Sequence, residues 1–458
     1  MKIAKKRMIY TAIVTLIVVF SSTFAILMTL ERTDYRNYLQ AEYSKSMYDL
    51  IDSVQNIRVN LGKSTIVGSR EQEMAVFSEI FRYASMANDK IHSLPVAQEV
   101  IGDTSKFLSQ VGDFCYTLER SSSEGKQLSD ADYAAIDKLK SQSFTLEQEL
   151  KKVSSDINEG KVKWGEIRKK ITGVFASGNK GEMLADKFGS IQKQVAQYPA
   201  LIYDGPFSDN SLQINPRINS QKEVTQSQAE DVVRNIIGKD KIETLQTLTV
   251  QGTGRRVDVY RFSVAMKGRK NKNERVVCEI TKKGGKVLYL INDRAVGKAN
   301  IDASKATVIG SNYLKNIGYS NMVPTYTLNY GDVAVINYVY MQQNVIVYPD
   351  QLKLKIALDD GSIVGIESEK YLVAHQENRS IPSPKVTAEQ AKQRVGKKLN
   401  ITNVRLALIP TETNKEILCY EFSGNYKGDN YKVYIDAQTG YEQRILQIIN
   451  TPNGQLTM

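Results

Sequence analysis

The sequence predicts a multidomain fold: one N-terminal transmembrane helix, then an all-α helical bundle, then three tandem α+β domains with antiparallel sheets. Three observations lead to this prediction. Residues 8–30 carry no charge, and a helix of that length crosses the ~30 Å hydrocarbon core of a membrane. Apolar residues recur at helical spacing between residues 31 and 197. A unit of capped helix, strands and a glycine-containing turn then occurs three times between residues 223 and 452.

The charges that flank the apolar run predict how the chain crosses the membrane. Residues 1–7 contain four basic side chains, whereas the charges directly after residue 30 cancel. The positive-inside rule therefore places residues 1–7 in the cytoplasm and the rest of the chain across the membrane. A cleaved signal peptide is the alternative, but the run is longer than a typical signal-peptide core and no small-x-small cleavage site is evident. The pattern favours a retained single-pass anchor at residues 8–30.

Residues 31–197 are expected to form the helical bundle. One apolar stripe follows a 4-3-4-3-4 spacing, and a second stripe from Ile136 to Ile157 keeps the same register, with Ser143 in one position. Breaks at 68–69, 93–95 and 121–125 divide the region into four long helices, which favours an up-and-down bundle that uses these stripes for its own core. The residues of the first stripe are Tyr43, Met47, Leu50, Val54, Ile57 and Leu61.

A junction, residues 198–222, separates the helical region from the repeats. It is rich in aromatic residues, and its prolines and its Asp-Gly-Pro turn exclude a continuous helix or a central strand. We expect its aromatic side chains to clamp the two halves of the chain together; a partner-binding loop is the alternative. The candidate residues are Tyr198, Pro199, Tyr203, Asp204, Gly205, Pro206 and Phe207.

Each repeat is expected to open with a capped helix. A side-chain oxygen at the N-cap accepts from an unpaired backbone N–H of the first turn. Gln228 and Gln390, three residues after the first and third caps, complete a capping box, whereas Lys305 in the second repeat cannot. The predicted caps and repeats are Thr225 in residues 223–297, Asp302 in residues 298–383 and Thr387 in residues 384–452.

After each helix the hydrophobic period falls to two, which indicates strands. The last hairpin of each repeat turns at a glycine-containing segment, at 283–285, 359–361 and 438–440. One helix that covers one face of an antiparallel sheet, used three times, satisfies both patterns.

This arrangement resembles the PepSY domain. The segment from Asp436 to Gly440, followed by Tyr441, carries the resemblance best, and Asp359-Asp360-Gly361 comes next. The first repeat departs from the pattern, because its turn is Lys-Gly-Gly. The resemblance implies a secreted or membrane-attached bacterial protein, in which such domains are often inhibitory or chaperone-like partners of hydrolases.

The basic anchor, the helical region, the junction from Tyr198 to Asp209 and the three repeats together resemble the YpeB family of spore germination proteins over essentially the full chain. The resemblance implies a single-pass protein of the spore inner membrane with its C-terminal domains on the outer, cortex side. It also implies a non-enzymatic accessory protein that is required for cortex peptidoglycan hydrolysis during germination. In that role it would stabilise, localise or regulate the cortex-lytic hydrolase SleB.

The residues themselves indicate no catalytic, cofactor or metal site. His92 and His375 have no metal-ligand spacing, and the chain lacks a G-x-S-x-G motif. Gly252-Thr-Gly254 leads into two arginines at the start of a strand, so it does not bind a dinucleotide. We predict that the protein is not an enzyme.

Cysteine usage and charge narrow the partner classes. The three cysteines fall in three different modules without C-x-x-C, so each is expected to be a small buried residue. The net charge of +11 includes the four basic residues of the tail and one concentration at residues 267–275. That loop could contact an anionic polymer such as cell-wall peptidoglycan, although a solvated hairpin loop is the simpler interpretation. No nucleic-acid partner is predicted.

Three classes of function remain open. The leading hypothesis is the tethered partner of a cortex hydrolase. An extracytoplasmic sensor or a protease-inhibitor-like membrane protein is the second, although seven residues inside the cell leave no room for a signalling domain. A cell-wall hydrolase is the third, and the missing catalytic pattern disfavours it.

Overall fold

The computed structural model describes residues 2–96, 98–159, 164, 207, 214–249, 256–269, 274–411, 415–451 and 454–457. The chain divides into two compact units. The first, a helical unit, contains Met1–Ser64 and Glu73–Met183. The second, a sheet-bearing unit, contains Thr65–Gln72 and Leu184–Met458.

Among the described residues, four helices build the helical unit. They are α1 (Lys2–Ser64), α2 (Arg70–His92), α3 (Gln98–Ser123) and α4 (Asp130–Asn158). Among the described residues α1 is the one helix that is long and apolar enough to span a membrane. Its apolar side chains between Ile13 and Leu30 are exposed, which agrees with a single-pass anchor. No break separates this segment from the part of α1 that enters the bundle.

Most residues of the two predicted stripes are buried in the helical unit. On α1, the side chains of Met47, Leu50, Val54, Ile57 and Leu61 are all buried. On α4, the stripe that begins at Ile136 is buried at that residue and includes a buried Ser143 where the pattern has a polar residue. The pair Arg58 Nε to Glu147 Oε2, 2.6 Å apart, joins α1 to α4. Apolar packing with one partly buried ion pair therefore holds these two helices together.

The sheet-bearing unit contains four further helices and thirteen strands among the described residues. The helices are α5 (Gln226–Ile237), α6 (Ala303–Asn316), α7 (Glu369–Ala374) and α8 (Ala388–Lys392). The strands are β1 (Ile242–Leu248), β2 (Val259–Met266), β3 (Val276–Thr281), β4 (Val287–Asn292), β5 (Met322–Tyr330), β6 (Val333–Gln342), β7 (Val345–Ala357), β8 (Ile363–Glu367), β9 (Asn400–Pro410), β10 (Glu416–Tyr426), β11 (Asp429–Asp436), β12 (Glu442–Thr451) and β13 (Gly454–Thr457).

The three repeats share one sheet. Its order is β1-β2-β3-β4-β8-β7-β6-β5-β13-β12-β11-β10-β9. Strand β4 of the first repeat pairs with β8 of the second, antiparallel, with Leu290 opposite Ile366. Strand β13 lies beyond the predicted end of the third repeat at 452 and pairs with β5 of the second, with Gly454 opposite Leu328. The repeats are tandem α+β modules, and their strands continue from one repeat to the next.

Strand β7 closes part of this sheet into a ring. Its first residues pair in parallel with β9, with Ile346 opposite Ala407, while its later residues pair with β8, with Leu354 opposite Ile366. Eight strands, β5, β6, β7 and β9 to β13, are therefore joined in a closed ring of hydrogen-bonded neighbours. The long strand β7 pairs with β9 through its first half and with β8 through its second half. Its register against β6 shifts between these two halves.

Three apolar cores lie among the described residues of this unit. The first lies under α5 and α6 and contains residues of both the first and the second repeat, such as Phe262 and Leu354. The second packs α8 against the third repeat. The third contains side chains of alternate parity on the ring strands, including Tyr348 and Tyr434, and so lies on the opposite face of those strands.

The helix of the third repeat, α8, is shorter than its apolar stripe predicts. The spacing of Ala391, Val395 and Leu399 predicts a helix up to residue 399, but α8 ends at Lys392. Backbone hydrogen bonds with three-residue spacing replace the helical ones, as from Val395 N–H to the Lys392 carbonyl. All three apolar side chains still reach the core. The second half of the stripe therefore indicates buried side chains, but not a helical backbone.

Candidate functional site

Phe207 is the described residue of the predicted junction site. Its ring is buried, with its centroid 5.1 Å from that of Tyr348 in β7 and 5.1 Å from that of Tyr434 in β11. The guanidinium of Arg444 lies 5.5 Å from the ring centroid, within the range of a cation–π contact. The Gln351 side chain donates to the Phe207 carbonyl at 3.3 Å. Phe207 thus joins the second repeat to the third.

The other candidate junction residues lie outside the described residues. These are Tyr198, Pro199, Tyr203, Asp204, Gly205 and Pro206. The expectation that junction aromatics clamp the two halves of the chain together therefore stays a prediction. The contact that the structure does show, between the second and third repeats, was not expected from the sequence.

A buried carboxylate, Glu421 on β10, lies behind the two tyrosines. Its Oε2 accepts from the hydroxyls of Tyr348 at 2.5 Å and Tyr434 at 3.0 Å. Its Oε1 accepts from Lys432 Nζ at 2.5 Å and from Arg405 Nε at 3.0 Å. Burial alone would raise the pKa of Glu421, but the two cations offset burial and the net pKa is lowered. All four donors are thereby held by one carboxylate.

A second buried group of ionisable side chains also joins the second and third repeats. Asp350 on β7 is fully buried and accepts from both terminal nitrogens of Arg379, each at 2.8 Å. Its Oδ2 also lies 2.8 Å from His375 Nδ1, and the Arg379 Nε lies 3.0 Å from Glu416 Oε2 on β10. Burial raises the pKa of Glu416. The pair of His375 and Asp350 is thus part of a buried cluster in which Asp350 is also bonded to Arg379 through both oxygens.

An arginine holds the second PepSY-like turn in place in this chain. Arg294, after β4, donates to both oxygens of Asp359 at 2.8 and 2.6 Å and to Asp360 at 2.6 Å. The backbone N–H of Gly297 donates to Asp359 at 2.7 Å. The Arg294 hydrogen bonds hold the pKa of Asp359 well below its usual range. The paired acids therefore fasten the segment between the first and second repeats.

An open cleft of about 460 Å³ lies on the side of the sheet that faces away from α5 and α6. Glu279 on β3, Tyr289 on β4 and Glu367 on β8 are directly opposite one another in register, so they form one cross-strand row. Tyr289 is 37% exposed. An aromatic ring between two carboxylates can bind a partner by stacking and by hydrogen bonds. The lining residues are Arg256, Val257, Glu279, Leu288, Tyr289, Glu367 and Glu369.

The cap residues are structural. Thr225 and Thr387 accept from the backbone N–H of Gln228 and Gln390 at 3.3 and 3.2 Å, and both glutamines return the bond to form capping boxes. Asp302 accepts from the N–H of Lys305 at 2.7 Å without the reciprocal bond. These side chains begin α5, α8 and α6 and take no part in the buried clusters.

The remaining predicted features have ordinary roles. The three cysteines, Cys115, Cys278 and Cys419, are free and buried, and burial raises the pKa of each thiol. In the basic loop, Arg269 is largely buried and is bonded to the Asn292 side chain, while residues 270–273 lie outside the described residues. Within the part of the chain that the structure describes, no group of three or more His, Cys, Asp or Glu could hold a metal ion.

Sequence reasoning missed the two buried clusters around Glu421 and Asp350. Directly bonded members lie up to 73 residues apart in sequence, as Tyr348 and Glu421 do, so no local motif marks them. The signal that was present is a charged residue inside an otherwise apolar stretch of a strand. Glu421 stands between Tyr420 and Phe422 in such a strand.

Comparison with known proteins gives matches along most of the chain. Residues 31–166 match the family model described as YpeB N-terminal, residues 184–382 match that described as YpeB sporulation, PepSY1 and PepSY2 domains, and residues 385–446 match that described as peptidase propeptide and YPEB domain.

Two curated relatives and one solved structure are similar to the chain. The sporulation protein YpeB of Bacillus subtilis is 25% identical over 419 residues, which are 90% of this chain and 91% of that protein. The protein of the same name from Halalkalibacterium halodurans is 25% identical over 413 residues, 89% and 90% of the two chains. The C-terminal domain of Bacillus megaterium YpeB is 31% identical and aligns with 50% of this chain and all of that domain, with a TM-score of 0.44.

Proposed function

Because the chain belongs to the YpeB family of sporulation proteins, we propose that it is a non-enzymatic, membrane-anchored accessory protein for cortex peptidoglycan hydrolysis during spore germination. In this role it stabilises, localises or regulates a cortex-lytic hydrolase. The family resemblance indicates SleB as that hydrolase. A role in sporulation follows from the family itself.

The observation that carries the non-enzymatic part of this proposal is the use of the buried acids. Glu421 is bonded to two tyrosines and two cations, and Asp350 is bonded to Arg379 through both oxygens. A general acid or base must be able to reach a substrate proton. These carboxylates instead hold the second and third repeats together, so the clusters with the strongest local charges act in structure. None of the matched families is an enzyme family.

The anchor supports the location that we propose. The apolar part of α1 is exposed and continues without a break into the helical unit. With basic residues before it, the anchor favours an orientation with the sheet-bearing unit outside the cytoplasm, and we propose that the membrane is the spore inner membrane with that unit on the outer, cortex side. There the open cleft around Tyr289 offers a partner surface, and the strand β1 offers an exposed sheet edge. Contact with peptidoglycan belongs to the same proposal.

A deletion in the native host tests this function. Removal of residues 223–452, with the anchor and helical unit kept, is expected to give spores that begin germination but retain their cortex, with the hydrolase lost on immunoblots. The full-length chain at the same expression level is the control, and a pull-down from its spore membranes is expected to recover the hydrolase. A deletion strain in which the hydrolase persists and works normally would contradict the proposal.

An assay of the purified part of the chain after residue 30 tests whether the protein has hydrolase activity of its own. Incubated alone with cortex peptidoglycan, it is expected to release no soluble fragments, whereas the hydrolase in a parallel reaction does. Release of fragments by the purified chain would show that it is itself a hydrolase.

Restraint of the partner is a second candidate for the molecular role. The model that matches residues 385–446 is described by peptidase propeptides, which suggests that the third repeat could hold a hydrolase inactive. Addition of the purified chain to the hydrolase separates the roles, because restraint lowers the rate of cortex cleavage and stabilisation alone preserves it.

A further inference from the structure

The third repeat contains a socket that is filled by residues from far away in the sequence. The side chain of Ile66, which follows α1, is fully buried in the core under α8. Its neighbours there include Val395 and Leu399 of the third repeat. Residues 65–72 accordingly belong to the sheet-bearing unit, whereas the residues before and after them belong to the helical unit.

Two glycines allow this segment to approach the third repeat backbone to backbone. A Cβ atom on Gly68 would lie 1.8 Å from the carbonyl oxygen of Arg394, and a Cβ atom on Gly396 would lie 2.1 Å from the carbonyl oxygen of Ile66. Any side chain at either position would force the two segments apart. The contact is therefore shaped for this pair of backbones.

A single buried carboxylate, that of Glu442, also binds the backbone of residues 68–69. Oε2 of Glu442, at the start of β12, accepts from the backbone N–H groups of Gly68 at 3.0 Å and Ser69 at 2.9 Å. The residue is 7% exposed. Its Oε1 has no hydrogen-bond partner among the described residues, so the carboxylate is desolvated without full compensation.

We propose that the third repeat carries a binding socket for residues 65–69 of its own chain, and that protonation of Glu442 controls whether the socket is occupied. In the occupied state Ile66 completes the core, the two glycines meet and the carboxyl group accepts two backbone hydrogen bonds. In the open state Glu442 is hydrated and residues 65–69 leave the core.

Burial sets the direction of this control. It raises the pKa of Glu442 to about 7 from 4.5, against the opposing effect of the Gly68 and Ser69 donors. Three segments pack around Glu442, and each has a charged residue close by in sequence. These are Arg70 next to Ser69, Arg394 two residues before Gly396, and Asp436 at the end of β11. Because the pKa is higher when the socket is occupied, occupancy takes up a proton. Docking is therefore strongest at low pH and weakens as the pH rises from 4.5 through about 7.

Hydrogen exchange on the full chain in detergent micelles tests the proposal. We expect the protection of amides 66–69, corrected for the intrinsic exchange rate, to fall about thirtyfold between pH 5.5 and pH 8.5, a value that follows from the two pKa values. Glu442→Gln keeps an acceptor but cannot ionise, so its protection should not change with pH. Glu442→Ala lacks the acceptor and should lose protection at both pH values.

Two glycine substitutions separate docking from global folding. Gly396→Ala should expose residues 65–69 at every pH, whereas Gly102→Ala on α3, where a Cβ meets no atom within 4 Å, should leave the exchange of residues 65–69 unchanged. Amides of β2 and β3 report whether each variant remains folded. Protection of residues 66–69 that is independent of pH in the wild-type chain, or a pH-dependent change that persists in Glu442→Gln, would overturn the proposal.

Discussion

Phe207 has an unusual backbone for an aromatic residue, with φ of 61°. A bulky residue pays a steric cost in this region and keeps it when surrounding contacts hold it there. In this chain those contacts are the rings of Tyr348 and Tyr434 and the guanidinium of Arg444. One strained residue from outside the repeats thus fills the space inside the strand ring.

The substitution Phe207→Ala should therefore destabilise the sheet-bearing unit by about 3–5 kcal/mol, because it leaves a cavity between two tyrosines. The single tryptophan of the chain, Trp164, lies in the helical unit, so near-ultraviolet circular dichroism of the buried tyrosines is a suitable measurement during urea unfolding. Tyr441→Ala, at a residue that is 63% exposed, is the matched control and should change the midpoint little. Equal midpoints for the two variants would contradict the role assigned to Phe207.

Glu421 should make the same unit sensitive to acid. Burial acts to raise its pKa, but Lys432 and Arg405 lower it below the usual value of 4.5. A carboxylate with a depressed folded-state pKa adds stability that is present above pH 4.5 and is lost as the pH falls through the folded value. The free energy of unfolding should decrease on acidification below pH 4.5.

The substitution Glu421→Gln should remove this acid-dependent part and cost about 3–5 kcal/mol at pH 7, because it leaves two half-buried cations without their buried anion. The stability of this variant, followed by tyrosine circular dichroism from pH 3 to pH 7, should be flatter than that of the wild-type chain. Parallel pH profiles in the two proteins would show that Glu421 does not cause the acid sensitivity.

At the scale of the element, the contact between α6 and the sheet depends on Gly310. A Cβ atom at this position would lie 2.2 Å from the hydroxyl oxygen of Tyr338. That hydroxyl donates to the Thr307 carbonyl at 2.8 Å. The absence of a side chain in the middle of the helix lets a strand tyrosine reach the helix backbone.

Two helix-interior glycines should therefore respond in opposite ways to alanine. Gly310→Ala should destabilise the sheet-bearing unit by about 1–3 kcal/mol through overpacking. Gly102→Ala should stabilise α3 by about 0.5–1 kcal/mol, because no atom of the described residues lies within 4 Å of a Cβ at this position and alanine restricts the unfolded chain. Urea unfolding followed separately in each unit measures both changes. Stabilisation by Gly310→Ala would contradict the close packing of α6.

The elements themselves were largely predictable from the sequence. Helix starts follow from cap residues such as Thr225, whose oxygen acts within three residues, and strands follow from alternation along one segment. The pairings between repeats were not predictable. Val345 to Val347 form a continuous apolar run and the later residues of β7 alternate, yet neither pattern shows that the run pairs with β9 while the later residues pair with β8. Which strand lies beside which depends on tertiary packing that no local pattern records.

At the scale of the whole molecule, the sequence pattern and the structure lead to different expectations for the sheet-bearing unit. Three caps, stripes and hairpins predict three separable repeats. In the structure the first two repeats share one apolar core, and the second and third share the ring, Phe207 and both buried ionic clusters. Separation at residue 297 or 383 would expose those surfaces to water.

We therefore expect the sheet-bearing unit to unfold as one block. Calorimetry should give a van't Hoff enthalpy equal to the calorimetric enthalpy for its transition. A chain that ends at residue 383 should lose this transition, because Tyr348 loses Glu421, Arg379 loses Glu416 and β7 loses β9. A chain that ends at residue 451 lacks only the strand β13. It should melt at a lower temperature than the full chain but keep a single transition. If the chain that ends at 383 instead retained native tyrosine circular dichroism and a cooperative melt, the repeats would be separable domains that the common sheet merely aligns.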